Sequence, residues 1–195
     1  MNDVIATDGN LAIRRMRDRT DDYDLIVGWR NSPHVREWWD PDEPPLDRAA
    51  AEAELRAATG DADPTTACII EVGGEPAGFI QFYPWSSEAR YLAEVGIGVP
   101  EGAWGLDIFI GEVAWLHRGI GSRAVRLLSD HLFEERDATA VALVTELGNT
   151  HAHAAYERAG MHAVREFLDT DHRGGQRVRS LLMIRHRHRG TAASR

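Results

Sequence analysis

The sequence predicts an α+β fold, a single domain in which a mixed, mostly antiparallel sheet is flanked by helices. Three observations lead there. Apolar runs of strand length at 66–72, 76–83, 106–111, 140–145 and 178–184 are interleaved with helical patterns in no repeating β-α-β order. Gly73-Gly74 sits between the first two runs as a hairpin signal, which makes that pair antiparallel. The chain of 195 residues, 43% hydrophobic and 27% charged, shows no internal repeat or linker and is the right size for one core.

Leu11 to Met16 alternates like a short strand, and Thr20-Asp21-Asp22 offers capping side chains to a helix carrying Leu25, Ile26 and Trp29. Asn31-Ser32-Pro33 stops it, and a second helix is expected from about Leu46 to Ala58. Residues 66–72 and 76–83 form the hairpin. The segment 84–105 holds Pro84, Gly96, Gly98, Pro100, Gly102 and Gly105, so an irregular connection is expected, with at most a short strand near Tyr91 to Ile97. Leu106 to Gly111 reads as a buried strand. Ile120, Ala124, Leu127, Leu128 and Leu132 then recur at helical spacing to about Glu135. A strand at 140–145, a helix from Asn149 to Ala159 ended by Gly160, and strands at 162–167 and 178–184 complete the order. The domain is placed at 1–185, with 186–195 as a basic tail whose Arg185-His186-Arg187-His188-Arg189 run is read as solvated rather than as a metal site.

All 22 basic residues are arginines, which excludes a Schiff-base lysine and a P-loop lysine. Cys68 is the single cysteine, so no intrachain disulfide or cysteine-cluster metal site can form. No apolar run approaches the ~18 residues of a membrane span, and the expected location is cytoplasmic. Seven arginines and no acid follow His172, which leaves residues 1–172 with 15 arginines against 31 acids, a balance of −16. Such a field repels nucleic acid and attracts cations, so a cationic small molecule is the expected partner. Ordinary solubility charge is the competing reading. Trp38 and Trp39 lie beside Asp40, Asp42 and Glu43 and have two readings: plugs for the core edge, or an aromatic wall for a cation.

Leu116-His117-Arg118-Gly119-Ile120-Gly121-Ser122 joins a strand to an amphipathic helix, where backbone N–H groups converge and glycines permit close approach of oxygens. It lacks the further glycine of a dinucleotide fingerprint and the Gly-Lys-Ser/Thr of a P-loop, leaving a pyrophosphate presented by some other cofactor. Asn149-Thr150-His151-Ala152-His153-Ala154-Ala155-Tyr156-Glu157-Arg158-Ala159-Gly160-Met161 lies one strand further on.

Together these segments resemble the GNAT acetyltransferase superfamily, whose pattern is Arg/Gln-x-x-Gly-x-Gly/Ala opening a helix, then Asn-x-x-Ala-x-x-x-Tyr-x-Arg/Lys-x-Gly-Phe. Leu116 stands where Arg or Gln is usual, His117 where glycine is common, and Met161 where Phe is usual. The resemblance implies acetyl-CoA as acetyl donor, its pyrophosphate on His117, Arg118, Gly119, Ile120, Gly121 and Ser122. It also implies a pantetheine arm along Phe109, Ile110 and Gly111, with cofactor contacts from Asn149 and Tyr156. Pro33 to Trp39, Gly74 to Tyr83 and Trp104-Gly105-Leu106-Asp107 are similar to the aminoglycoside 6′-N-acetyltransferases. That likeness implies Asp107 as the carboxylate at the acceptor amine, with Trp38, Trp39, Gln81 and Tyr83 in the acceptor pocket. Glu-Trp-Trp also resembles siderophore-precursor acyltransferases acting on a hydroxylated lysine side chain. A non-catalytic module of the same fold, binding acyl-CoA or a cation, is a further alternative.

Acetyl transfer to an amine needs a neutral nucleophile, a polarised thioester carbonyl and a proton for the thiolate. Asp107 is assigned to the ammonium proton and Tyr156, on a helix face of small alanines, to the thiolate. Glu146 is the second candidate carboxylate for the acceptor, and a backbone N–H near Ile110 or Gly111 is the candidate for the carbonyl. Monomer and homodimer stay undecided.

Overall fold

A computed structural model describes residues 3–60, 63–169 and 177–187. Eight strands form one sheet: β1 (Val4–Asp8), β2 (Leu11–Arg15), β3 (Thr66–Val72), β4 (Glu75–Pro84), β5 (Trp104–Ile110), β6 (Ala140–Glu146), β7 (His162–Asp169) and β8 (Val178–His186). Their order is β1-β2-β3-β4-β5-β6-β8-β7, and every neighbouring pair is antiparallel except β5 and β6. The mixed α+β architecture is as expected. β1 was not, because its five residues, Val-Ile-Ala-Thr-Asp, carry no alternating apolar pattern.

Helices cover both faces. α1 (Thr20–Arg30), α2 (Pro33–Arg36) and α3 (Arg48–Leu55) lie on one, where Tyr23, Ile26, Trp29, Val35 and Leu55 pack on Ile69, Phe79 and Phe109. α5 (Ile120–Glu135) lies on the other, and its Ala124, Val125, Leu128 and Leu132, which recur at helical spacing on one stripe, are fully buried against the sheet. α6 (Thr150–Arg158) packs beside α5 and is capped by the Asn149 side chain, which accepts from Ala152 N at 3.1 Å. α3 is capped in the same way by Asp47. The expected caps of α1 are employed differently. Asp22 sits buried under the helix and takes both guanidinium nitrogens of Arg14 at 2.6 and 2.8 Å, and Glu71 holds the third at 2.6 Å.

The connection 84–103 departs from the expected short strand. Residues 91–97 belong mostly to α4 (Ala89–Val95), held by an Arg90–Glu94 ion pair one turn apart and ended by Gly96 at φ +66, with Ile97 N donating back to Leu92 O. Its apolar side, Tyr91, Leu92 and Val95, packs with Trp85 and Ile97 onto β6 and β8 as a third small core. At the other end, His186 closes β8 and Arg187 N donates to Thr139 O. The remainder of the basic segment expected at 186–195 lies outside the described residues.

Candidate active site

The site begins with a cross-strand register. β4 and β5 pair Phe79 with Phe109, Gln81 with Asp107 and Tyr83 with Gly105, so these side chains share one face. Gln81 Nε2 donates to Asp107 Oδ2 at 2.9 Å. Gly105 has no side chain because the Tyr83 ring lies over it; a Cβ there would stand 2.4 Å from Tyr83 Cε2. That placement lets Tyr83 hydrogen-bond Asp107. Burial, together with the negative charge of Asp107 and Glu88, pushes the Tyr83 hydroxyl well above its ordinary pKa.

The parallel pair β5–β6 is joined only at Trp104–Val141 and Gly105–Ala142, although each strand is seven residues long. Beyond those pairs the strands part. A cavity of about 680 Å³ occupies the gap, lined by Asp107 to Ile110 of β5, Leu143 to Glu146 of β6, and α6. Gly111 donates its N–H to Ala77 O on β4 at 2.9 Å, and strand alternation then turns the N–H and C=O groups of Ile108 and Ile110 toward the gap. Of the two amides considered for the thioester carbonyl, Ile110 is therefore available and Gly111 is engaged. Gly111 is also shielded from the cavity, since Trp29 packs so closely that a Cβ would lie 2.2 Å from its Cγ. Phe109 reaches the cavity wall, but its ring is held among Phe79, Trp29 and Trp39, stacked on Phe79 at 5.3 Å.

The turn before α5 forms the floor at one end. His117 and Gly119 take positive φ, +58° and +75°, and Ser122 Oγ donates to Gly119 O at 2.9 Å. Leu116, His117, Gly119, Ile120, Gly121 and Ser122 all line the cavity. Arg118 does not, because its guanidinium lies over Trp115 at 5.4 Å. Gly121 is the informative glycine: a Cβ there would meet only Ile110 Cγ1, at an ordinary 3.9 Å. The fold does not need glycine at that point, and the space a side chain would fill is the cavity in front of the turn amides. The donor set and this opening suit a diphosphate.

Tyr156 projects from α6 between Ala152 and Ala155 into the same cavity. Burial, then the charge of Asp107, raises its hydroxyl pKa far above the ordinary value. Glu146 lines the cavity at the end of β6, and His153 Nε2 sits 3.0 Å from its backbone oxygen. Asn149 borders the cavity while its side chain caps α6.

Both tandem tryptophans line the cavity. Trp39 also plugs the core edge, edge-on to Phe109 at 5.0 Å and to Phe79 at 6.1 Å. Trp38 is 37% exposed and reaches across the cavity toward Gly148 of the β6–α6 connection. Sequence reasoning missed His34, whose Nε2 lies 3.1 Å from Ile110 O on the open edge, and Trp85, Glu88 and Tyr91, which line the cavity from the misread connection. It also missed Asp40 and Glu54, which line the cavity but share Arg30 at 2.5 and 2.7 Å. Only contacts between distant segments reveal these residues, apart from the i, i+4 spacing of Arg90 and Glu94 that marked α4.

The profile of the acetyltransferase (GNAT) domain matches residues 18–168. The chain belongs to this acetyltransferase family. Among curated GNAT relatives, the aminoglycoside N(6′)-acetyltransferase type 1 of Klebsiella pneumoniae is 25% identical over 166 residues, covering 80% of this chain and 76% of the relative. The Serratia marcescens protein of the same name matches to the same extent. The GNAT fold is shared with AAC(6′)-Ib solved with ribostamycin and coenzyme A, at TM-score 0.76 and 23% identity over 94% of this chain and 100% of that one. An aminoglycoside N(6′)-acetyltransferase from Legionella pneumophila superposes at TM-score 0.66 and 20% identity, covering 91% and 92%.

Proposed function

We propose that this acetyltransferase transfers the acetyl group of acetyl-CoA to the 6′-amino group of aminoglycosides. The observation that supports this reading best is the distribution of charge around one cavity. Asp107, Glu88, Asp40 and Glu54 come from β5 and the elements next to β4, whereas His117 and the α5 turn amides, His151 and Arg158 come from the α5 and α6 side. One flank suits an anion and the other a polycation.

Bound acetyl-CoA supplies an activated thioester carbonyl and a thiolate leaving group. The turn 117–122 would hold its diphosphate, and the open edge at Ile108 and Ile110 its pantetheine amides. Asp107 accepts the ammonium proton of the acceptor directly or through water, and its bonds with Gln81 and Tyr83 fix the carboxylate. Tyr156, kept protonated by burial and by Asp107, donates to the departing sulfur, and the second proton that the acceptor nitrogen sheds on becoming an amide restores the tyrosine hydroxyl. The Ile110 N–H faces the gap and is the amide placed to stabilise the carbonyl oxygen. Trp38, Tyr83 and Glu146 border the acceptor.

Turnover tests the reading. Kanamycin and tobramycin, which carry a 6′-amine, should be acetylated with release of free thiol, and paromomycin, with a 6′-hydroxyl, should not. Binding alone does not discriminate, because a solved relative holds paromomycin together with acetyl-CoA. Asp107→Asn should reduce kcat/KM more than tenfold, ~1.4 kcal/mol of transition-state stabilisation, with acetyl-CoA affinity intact. Equal rates on 6′-amino and 6′-hydroxyl compounds, or wild-type rates from Asp107→Asn, would refute the assignment. Hydroxylysine-type acceptors and longer acyl-CoAs in the same assay test the siderophore alternative.

A further inference from the structure

Two histidines at the cavity take no part in the proton transfers above. His117 lies in the turn before α5 and His151 in the first turn of α6; both line the cavity, and their rings meet edge to face with centroids 5.5 Å apart. His117 holds φ +58, a backbone region that glycine occupies freely and other residues only at a cost. The family pattern commonly has glycine there. This chain instead places an imidazole at the position and a second one against it.

We infer that His117 and His151 form a proton-linked clamp on the diphosphate of the cofactor. The clamp rests on the acetyl-CoA reading given above. A doubly negative diphosphate beside both rings attracts an imidazolium at each, so each ring binds its proton more tightly in the complex. By linkage, a lower pH must then strengthen binding of the anion.

The surrounding charges leave the pair in control between about pH 5.5 and 8. Arg118 over Trp115 and Arg158 at the end of α6 stay charged throughout that range. Asp107 and Glu146 face the cavity from β5 and β6, and Glu157 lies on the next turn of α6; carboxylates ordinarily titrate below this window. Tyr156 titrates far above it. The other imidazoles near the cavity bond backbone carbonyls, His153 at Glu146 and His34 at Ile110, and serve as controls.

The probe is dephospho-coenzyme A, which keeps the diphosphate but lacks the phosphate monoester that itself titrates near pH ~6. Calorimetric affinity should rise roughly three- to tenfold from pH 7.8 to 5.8, where a one-unit shift of one ring corresponds to tenfold. Binding heats should vary with the ionisation enthalpy of the buffer, reporting proton uptake. The pair His117→Gly and His151→Ala should flatten the profile, and His153→Ala should keep it; glycine at 117 relieves the backbone, so the variant remains folded, as its Tm would verify. A flat wild-type profile, or a slope that persists in the double variant, overturns the clamp and leaves the cofactor reading standing. Failure of wild type to bind either coenzyme A or dephospho-coenzyme A at any pH overturns the cofactor reading itself.

Discussion

Asp107 acts on two tyrosines at once. Its charge contributes to holding the protons of both Tyr83 and Tyr156, so in the proposed mechanism the carboxylate that serves the acceptor also keeps the Tyr156 hydroxyl protonated until it takes up a proton itself. Tyr156→Phe should lower kcat about 10–100-fold, because general acid catalysis typically contributes ~10²–10⁴ and water substitutes in part. Acetyl-CoA affinity should change little. Because the Tyr156 pKa is raised, the enzyme should keep its kcat on the alkaline side up to about pH 10, the ordinary tyrosine value. An alkaline limb falling near pH 8 under rate-limiting chemistry would remove Tyr156 from the donor role. The places of Asp107 and Tyr156 at the cavity were legible in the sequence because each sits in a contiguous motif. The dependence of Tyr83 on Gly105 was not, since it exists only through the register of β4 on β5, and His34 meets Ile110 only through tertiary packing.

Among the elements, β5 and α5 carry the site between them, β5 by its unpaired edge and α5 by the turn that opens it. In Gly121→Val the new Cβ meets only Ile110 Cγ1, at an ordinary 3.9 Å, and the side chain is expected to fill the space before the turn amides. Calorimetry should show acetyl-CoA binding weakened at least tenfold while Tm moves little; unchanged affinity would take the diphosphate away from this turn. Both elements were readable from local pattern, a buried apolar run and a helical stripe after a glycine turn. α4 was missed because the prolines and glycines around it signal turns and outweighed its two local marks, the Arg90–Glu94 spacing and Gly96, and its apolar face matters only once β6 and β8 are beneath it. The gap between β5 and β6 was equally hidden, as no single strand contains the information that a neighbour diverges.

Across the molecule, part of the acidic excess is held in bridged trios, Arg30 between Asp40 and Glu54 and Arg14 between Asp22 and Glu71, each arginine offsetting one of its two carboxylates. The groups that limit stability at high pH are elsewhere. Burial pushes the fully buried Cys68 thiol up to about 12 from an ordinary 9.0, and burial with the Asp18 hydrogen bond pushes Tyr23 up to about 12 from 10.0. The unfolded chain ionises these groups first, so their stabilising effect is complete below pH 9 and is lost as pH rises toward 12. The unfolding free energy from urea titrations should hold steady from pH 7 to 8.5 and then fall, by up to ~1.4 kcal/mol per pH unit for each group titrating only in the unfolded state. Cys68→Ala should delay the onset, and a free energy unchanged at pH 10.5 would contradict the account. The two-pair join between β5 and β6 also divides the sheet into leaves of five and three strands, with α5 as the splint that touches both. The cavity thus runs along the seam of the molecule with one leaf on each side, so whatever fills it touches both leaves at once.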